Sequence, residues 1–185
     1  MIDALSFNKA FLCLLLALGL FGQGCGSHSG YQPLPELPEE AVFLNVPFVP
    51  QSRQDDCGPA ALASVLMFRG HNPSLDDITR DVFTPALGRT LLPDMENHAR
   101  DLGFQTKAGR GDPELLKDRI NNGSPVIILL EMGRGALSRG HYVVVFGHTR
   151  EGYLMHVGEL SNVLMPTDEL VSRWGRMNNL YLVVE

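Results

Sequence analysis

The 185-residue chain is poor in cysteine and carries no run of charge of one sign. It has three cysteines, and no stretch is basic enough to form a positive stripe. With 15 Lys and Arg against 21 Asp and Glu, the formal net charge of −6 argues against nucleic acid as a partner. Internal repeats and long low-complexity tracts are absent too. The remaining composition, 44% hydrophobic with 12 prolines and 19 glycines, is typical of one globular domain.

The sequence also lacks a set of membrane spans and a G-x-x-x-x-G-K-[ST] phosphate loop, which excludes nucleotide binding of the P-loop type. Its histidines do not have the spacing of a metal site, and His148 and His156 are expected to be solvated. The sequence therefore predicts neither a metal nor a cofactor. Residues 133–140 are rich in glycine and are predicted to form a flexible loop.

An apolar run over residues 10–21 is well short of the roughly 20 residues that a membrane-spanning helix needs, and it fits the hydrophobic region of a secretory signal. The run is followed by Gly22-Gln23-Gly24-Cys25, which resembles the lipobox of bacterial lipoproteins. The resemblance implies a signal peptide over residues 1–24 and lipidation of Cys25. It also implies a lipid anchor in a membrane of the cell envelope, with the domain in the periplasm or another extracytoplasmic space. An ordinary cleaved signal and an uncleaved apolar anchor are the alternatives.

Residues 25–40 are rich in Gly, Ser and Pro, which predicts a tether in front of a domain over residues 41–185. With Cys13 removed in the signal and Cys25 lipidated, Cys57 has no partner. An unpaired cysteine in an exported domain suggests a reactive thiol. A buried and inert cysteine is the alternative.

Helix signals precede strand signals in the domain. The helices are predicted at 59–69, 74–83, 92–102, 112–121 and 166–174, and the strands at 42–49, 125–130, 142–146, 153–157 and 180–184. The first helix is apolar nearly all round, so we expect it to be central and buried. This order predicts an α+β domain in which an antiparallel sheet packs against a central N-terminal helix.

Three residues combine into candidate acyl-transfer chemistry. Cys57 lies at the start of the buried helix, where the dipole and free N–H groups favour a thiolate. Gln51, six residues upstream, can donate to an oxyanion together with the Cys57 N–H, although Gln54 is a competing candidate. His141 begins a strand and can pair with the sulfur. Asp55-Asp56 would raise the thiol pKa or bind a basic substrate residue.

The segments 46–51, Cys57-Gly58-Pro59-Ala60-Ala61 and Gly140-His141-Tyr142 followed by valines resemble the papain-like cysteine peptidases of the bacteriocin-processing family. That family cleaves after double-glycine leader sequences and usually forms the N-terminal domain of peptide-exporting ABC transporters. The resemblance implies a papain-like fold over roughly residues 42–185, here in a free-standing lipoprotein form. It makes Cys57 the nucleophile, His141 the general base and acid, and Gln51 the oxyanion donor. It implies a peptide or protein substrate and an exporter or envelope partner.

One element of that family's pattern is missing. The family normally places an Asp, often Asp-Pro, in the strand after the histidine strand, where it orients the imidazole. Residues 154–159 instead read Leu-Met-His-Val-Gly-Glu. Glu159 is the nearest carboxylate, and Asn162 or a backbone carbonyl are alternatives. Two functions are therefore expected: a thiol peptidase acting through a Cys57 acyl-enzyme, or a catalytically weak or inactive peptide-binding module. A related acyl transfer such as transpeptidation or deamidation is a third.

Overall fold

The computed structural model describes residues 33–53, 55–133 and 138–185. The predicted signal peptide over 1–24, the predicted lipidation site Cys25, the first part of the tether, Gln54 and residues 134–137 of the predicted loop lie outside the described residues. No helix within the described ranges is both long and apolar enough to cross a membrane.

The described chain contains five α-helices and nine strands. The helices are α1 (Cys57–Phe68), α2 (Leu75–Val82), α3 (Leu92–Asp101), α4 (Pro113–Asn121) and α5 (Thr167–Gly175). The strands are β1 (Val42–Phe43), β2 (Phe83–Thr84), β3 (Arg89–Thr90), β4 (Thr106–Arg110), β5 (Val126–Met132), β6 (Arg139–His148), β7 (Gly152–Val157), β8 (Leu160–Pro166) and β9 (Leu180–Val184). A single 3₁₀ turn, Pro85–Leu87, connects β2 to β3.

Six strands form an antiparallel sheet in the order β4-β9-β5-β6-β7-β8. The long strand β6 lies at its centre, where His141 pairs with Leu130 of β5. β1 pairs with the far end of β6, at Gly147 and His148, beyond the part that β5 covers. β2 and β3 form a separate hairpin beside this sheet. The arrangement confirms the predicted antiparallel sheet.

Both faces of the sheet are buried, so its central strands are apolar at nearly every position. On one face Tyr142, Val144 and Phe146 of β6 join a cluster with α1, α2 and α3. On the other face Val143 and Val145 join a cluster with α4 and α5. Helix α1 is buried from Gly58 to Leu66, as its apolar sequence predicts. The predicted central helix is therefore confirmed.

Helix α1 begins at Cys57, two residues earlier than the predicted start at Pro59. Pro59 is tolerated as the third residue of the helix because the first four N–H groups of a helix have no partner within the helix. Two of the other helices begin after a side-chain cap: Ser74 Oγ accepts from the N–H of Asp77, and the Asp112 carboxylate accepts from the N–H of Leu115. These two predicted N-termini are confirmed.

Other sequence predictions need correction. Only Val42–Phe43 of the predicted strand 42–49 pairs in the sheet. The strands β4 and β8 and the β2–β3 hairpin were not predicted. His156 is buried rather than solvated, with 7% of its surface exposed, and it pairs across the sheet with Val144 rather than with His148.

The last part of the predicted tether lies against the domain. The N–H of Leu34 donates a 2.9 Å hydrogen bond to the carbonyl of Asn162 in β8. The side chains of Leu34 and Leu37 pack against the core cluster on the α1 face of the sheet. Within the described residues, contacts with the domain therefore begin before residue 41, the predicted start of the domain.

Candidate active site

Cys57 is the first residue of α1, and its side chain is half-buried. Backbone N–H groups of Tyr142 and Gly58 hydrogen-bond the sulfur. Tyr142 directly follows His141 in β6, so this contact holds the sulfur against the start of the histidine strand. Cys57 is a free thiol.

Burial raises the pKa of the Cys57 thiol above its ordinary value, and the neighbouring charge of Asp56 raises it further. The N–H groups of Tyr142 and Gly58 oppose this rise but do not cancel it. The N–H groups at the helix N-terminus lower the thiol pKa, as predicted, but burial outweighs them and the net pKa is raised. The predicted effect of Asp56 on the thiol pKa is confirmed in direction.

Gly58, the residue after the cysteine, admits no larger side chain. A Cβ at this position would lie 2.8 Å from Cγ2 of Thr90 and 3.3 Å from the sulfur of Met95. Thr90 ends the β2–β3 hairpin, and Met95 belongs to α3. The glycine therefore lets both elements pack directly against the cysteine end of α1.

Gln51 lies on the loop that leads into α1, and its position is set at the backbone and at the side chain. Its N–H donates a 3.0 Å hydrogen bond to the carbonyl of Gly158, in the turn between β7 and β8. Its side-chain Nε2 donates to the carbonyl of Arg53. Two residues upstream, the N–H of Val49 donates to Ser64 Oγ of α1 at 3.1 Å. The loop is thus fastened both to the helix and to the sheet.

His141 and Gln51 meet at Gly158. If Gly158 carried a Cβ, that atom would lie 3.4 Å from Nε2 of His141 and 3.4 Å from Oε1 of Gln51. Gly158 has a φ of +60°, a conformation that other residues adopt with strain. The sequence analysis missed this residue, and its only local signal is a glycine that directly follows an apolar strand.

Burial lowers the pKa of His141 to about 4, and the nearby positive charge of Arg139 adds to the effect. No carboxylate among the described residues contributes to the shift. The raised pKa of Cys57 favours its thiol form at neutral pH, and the lowered pKa of His141 favours a neutral imidazole.

Cys57, Gln51 and Gly158 line one small cavity together with Tyr142 and His156. The space open to the centre of a water-sized sphere is about 10 Å³, which is near the minimum for a single water molecule. The cavity therefore brings Cys57 and Gln51 together, while His141 is not among its lining residues and approaches Gly158 beside Gln51.

His156 is a second histidine at this cavity, which the sequence analysis did not select. Its Nε2 donates to the carbonyl of Val46 at 3.1 Å, and its ring packs against Phe146 and Phe48. Burial lowers its pKa, so the imidazole is neutral. It occupies a core position beneath the site, and the signal that could have found it is its place within the apolar strand β7.

Asp56, directly before the cysteine, is only 1% exposed. Its Oδ2 accepts hydrogen bonds from the N–H of Ser52 at 3.1 Å, the hydroxyl of Ser52 at 2.7 Å and the N–H of Arg53 at 3.0 Å. Its Oδ1 is buried without a hydrogen-bond partner in the described structure. The carboxylate thus closes the turn that connects Gln51 to α1.

Neither Glu159 nor Asn162, the candidate orienters of His141, contributes to the pKa shift of its imidazole. Glu159 is exposed on the turn between β7 and β8, and within the described ranges its carboxylate makes no hydrogen bond or ion pair. Asn162 adopts a left-handed φ of +53° in β8, and its carbonyl accepts from Leu34. No group of histidine, cysteine and carboxylate side chains among the described residues could hold a metal ion.

Comparison with known proteins places this chain in a family. Residues 45–183 match the model of the Peptidase C39 family. The chain is 27% identical to the peptidase domain of Streptococcus ComA, a bi-functional ABC transporter involved in a quorum-sensing pathway. That structure superposes with a TM-score of 0.61 over 74% of this chain and 96% of the ComA domain. No curated protein matches the chain.

Two structures with lower sequence identity to the chain share the fold. A C39-like peptidase from Bacillus anthracis is 17% identical, with a TM-score of 0.66 over 80% of this chain and 98% of its own. A double-glycine motif protease from an AMS/PCAT transporter, solved with its leader peptide, is 23% identical, with a TM-score of 0.63 over 77% of this chain and 93% of its own. The predicted papain-like α+β fold is therefore confirmed.

Proposed function

Because the chain belongs to the Peptidase C39 family and is a cysteine peptidase domain, we propose that it cleaves a peptide bond with Cys57 as nucleophile, His141 as general base and acid, and Gln51 as oxyanion donor. The observation that carries this assignment is the junction at Gly158. There Nε2 of His141 and Oε1 of Gln51 approach the same backbone position, and Gln51 shares a cavity with the thiol.

The first half of the reaction forms an acyl-enzyme. Since the resting pair is neutral, His141 accepts the thiol proton as the Cys57 sulfur attacks the carbonyl carbon of the peptide. The carbonyl oxygen becomes an oxyanion, which accepts hydrogen bonds from the Cys57 N–H and the Gln51 side chain. His141 then gives the proton to the departing amine as the C–N bond breaks, which leaves a thioester on Cys57.

The second half returns the enzyme to its resting state. His141 accepts a proton from water as the water oxygen attacks the thioester carbon. The same two donors stabilise the second oxyanion. The C–S bond breaks, the acid product leaves and the sulfur recovers its proton from His141.

A peptide or protein is the proposed substrate, and an exporter or another envelope protein is the proposed partner. Two of the structures described above support this by their context, since one is a domain of an ABC transporter and another was solved with a leader peptide.

For its location we propose a signal peptide over residues 1–24, a lipid on Cys25 and a tether over residues 25–40 that holds the domain outside the cytoplasm. The apolar run before Cys25 supports this. Mass analysis of the protein purified from bacterial membranes tests it. A diacylglyceryl group on Cys25, lost in Cys25→Ser together with membrane association, is expected. An unmodified Cys25 in the membrane-bound protein would contradict it.

A binding module without catalysis is the second candidate. It is favoured by the lack of a carboxylate that acts on His141 within the described residues. Such a module would use the same cleft to hold a peptide, and Cys57→Ala would leave its biological activity intact.

Cleavage of a diverse peptide library, mapped by mass spectrometry, tests the peptidase function against the binding module. We expect new peptide termini with the wild-type domain, and none with Cys57→Ala or His141→Ala. Peptides that are retained by all three proteins but cut by none would favour the binding module. Cleavage that persists in Cys57→Ala would exclude Cys57 as the nucleophile.

A further inference from the structure

Asp56 has two features that are each unfavourable, one for the nucleophile and one for the folded protein. Its negative charge raises the pKa of the adjacent Cys57 thiol, which opposes formation of the thiolate. Its burial removes a carboxylate from water, which is unfavourable unless strong hydrogen bonds compensate. A buried charge that opposes the nucleophile must therefore contribute something else to the site.

The hydrogen bonds of Asp56 indicate what that contribution is. Among the described residues, those of its carboxylate come from the turn that carries Gln51, since Oδ2 accepts from the N–H and hydroxyl of Ser52 and from the N–H of Arg53. Hydrogen bonds to a charged acceptor are roughly twice as strong as neutral ones. Asp56 therefore fixes the peptide groups on both sides of Ser52.

The same turn orients the Gln51 side chain. Once the Arg53 N–H is held by Asp56, the Arg53 carbonyl accepts from Nε2 of Gln51. A side-chain amide has two N–H donors, so this bond occupies one and leaves the second to point elsewhere. The chain of contacts thus runs from Asp56 through Arg53 to the amide of Gln51.

We propose that Asp56 is a positioning residue that holds the free N–H of the Gln51 amide towards the oxyanion beside Cys57. This inference rests on the proposed function and extends it by one residue. Asp56 itself touches neither the substrate nor the reacting atoms. Its charge makes the thiol less acidic, and its hydrogen bonds keep the oxyanion donor in place.

Two reactions of Cys57 separate these effects. Acylation by the p-nitrophenyl ester of N-acetylglycine passes through an oxyanion: the sulfur bonds to the carbonyl carbon, the ester C–O bond breaks, nitrophenolate leaves and the thiol proton passes through His141 to solvent. Alkylation by iodoacetamide forms a C–S bond and releases iodide without any oxyanion. Loss of the oxyanion donor should therefore slow acylation and leave alkylation intact.

In this comparison, Asp56→Ala should lower the acylation rate by about tenfold to 100-fold, and Gln51→Ala by about 100-fold. Alkylation of Asp56→Ala should be as fast as in the wild type or faster, with its pH profile moved to lower pH, since the opposing charge is gone. Asp56→Asn should recover most of the acylation rate, because its Oδ1 can accept from the turn and its Nδ2 replaces the unpartnered oxygen. Asp55→Ala is the matched control, since it removes a neighbouring exposed carboxylate that pairs with the Arg53 guanidinium at 3.7 Å rather than with the backbone of the turn, and its acylation rate should stay near the wild-type value.

A double-mutant cycle decides whether Asp56 acts through Gln51. In the Gln51→Ala background, Asp56→Ala should lower acylation by no more than about twofold. The inference is overturned if Asp56→Ala lowers acylation by the same factor in both backgrounds, or if it slows alkylation as much as acylation. Ser52→Ala provides a milder variant should Asp56→Ala fail to fold. We expect Ser52→Ala to slow acylation in the wild-type background but not in the Gln51→Ala background. An equal loss of acylation rate in both backgrounds would overturn the inference.

Failure of the positioning inference and failure of the proposed function are distinguishable. If Cys57→Ala abolishes ester acylation but the cycle is additive, only the role of Asp56 is wrong. If Cys57→Ala is acylated at the wild-type rate, the proposed function itself fails.

Discussion

The carbonyl of Gly158 accepts a 3.0 Å hydrogen bond from the N–H of Gln51, which ties the turn after β7 to the loop that leads into α1. The same glycine leaves room for Nε2 of His141, because a Cβ there would lie 3.4 Å from it. One residue without a side chain therefore lies at the point that both Gln51 and His141 approach.

Replacing Gly158 by alanine should reduce catalysis far more than stability. The left-handed φ of +60° costs alanine about 1–2 kcal/mol, and the added methyl would contact both Gln51 and His141, so any relaxation of the strained turn shifts these two side chains. We expect kcat/KM to fall by about tenfold or more, since small displacements of catalytic groups have large effects. Chemical denaturation and peptide hydrolysis measure the two effects separately.

Gly123→Ala is the matched control for this change. Gly123 has a φ of +79°, with nothing within 4 Å of the added Cβ, and it lies in the turn between α4 and β5. The control should lose a similar amount of stability and no activity. Equal losses of activity in the two variants would contradict the role given to Gly158.

The pH dependence of catalysis should follow His141. A base that must be neutral supports the reaction only above its own pKa, which burial lowers to about 4. The acidic limb of kcat/KM should therefore lie near pH 4 rather than near the ordinary histidine value of 6.5. A pH–rate profile with a chromogenic ester measures it.

Arg139→Gln tests why the acidic limb of kcat/KM lies near pH 4. Since the positive charge of Arg139 lowers the pKa of His141, its removal should move the acidic limb towards higher pH. The maximal rate should change little. A limb that stays in place, or one near pH 6.5 in the wild type, would show that the environment of His141 is not as described.

The free energy of unfolding should fall as the pH falls from about 6.5 to about 4. In the unfolded chain His141 takes up a proton near its ordinary pKa of 6.5, whereas the folded protein resists protonation down to about 4. The unfolded state therefore binds more protons in this window, and the free energy of unfolding decreases as the pH drops, by about 1.4 kcal/mol per pH unit for one such group.

Denaturant unfolding of the wild type and of His141→Asn, at pH 7 and at pH 4.5, measures this effect. The variant should lose less stability than the wild type on acidification, because one of the buried imidazoles is gone. His156, whose pKa burial also lowers, should account for part of the remaining dependence. Identical losses in both proteins would exclude His141 as a source.

The parts of the fold that could be predicted from the sequence are those with strong local signals. Helix α4 begins where Asp112 caps it and Pro113 follows, so its bounds were predicted correctly. Strand β4 was missed because its five residues, Thr-Lys-Ala-Gly-Arg, include no large apolar side chain, and only its pairing with β9 makes it a strand. Strand β8 was missed because Asn162 interrupts it with a left-handed residue.

In the candidate site, too, only the residues with a local sequence signal could be predicted. Cys57, His141 and Gln51 could be selected from residue type and spacing, because each lies beside a recognisable helix or strand start. The role of Gly158 depends on the turn after β7 reaching the loop before α1, a contact between residues 107 positions apart in the sequence. The raised pKa of Cys57 depends on burial by β6, which outweighs the local effect of the helix. Neither effect has a local signature.

The most direct test of the account is to identify the acylated residue during turnover. The domain is mixed with the p-nitrophenyl ester of N-acetylglycine, quenched in acid and digested, and the acyl group is located by mass spectrometry. We expect one acyl group on Cys57, formed at least about a thousandfold more slowly in His141→Ala. An unmodified Cys57, or acylation at the wild-type rate in His141→Ala, would contradict the account.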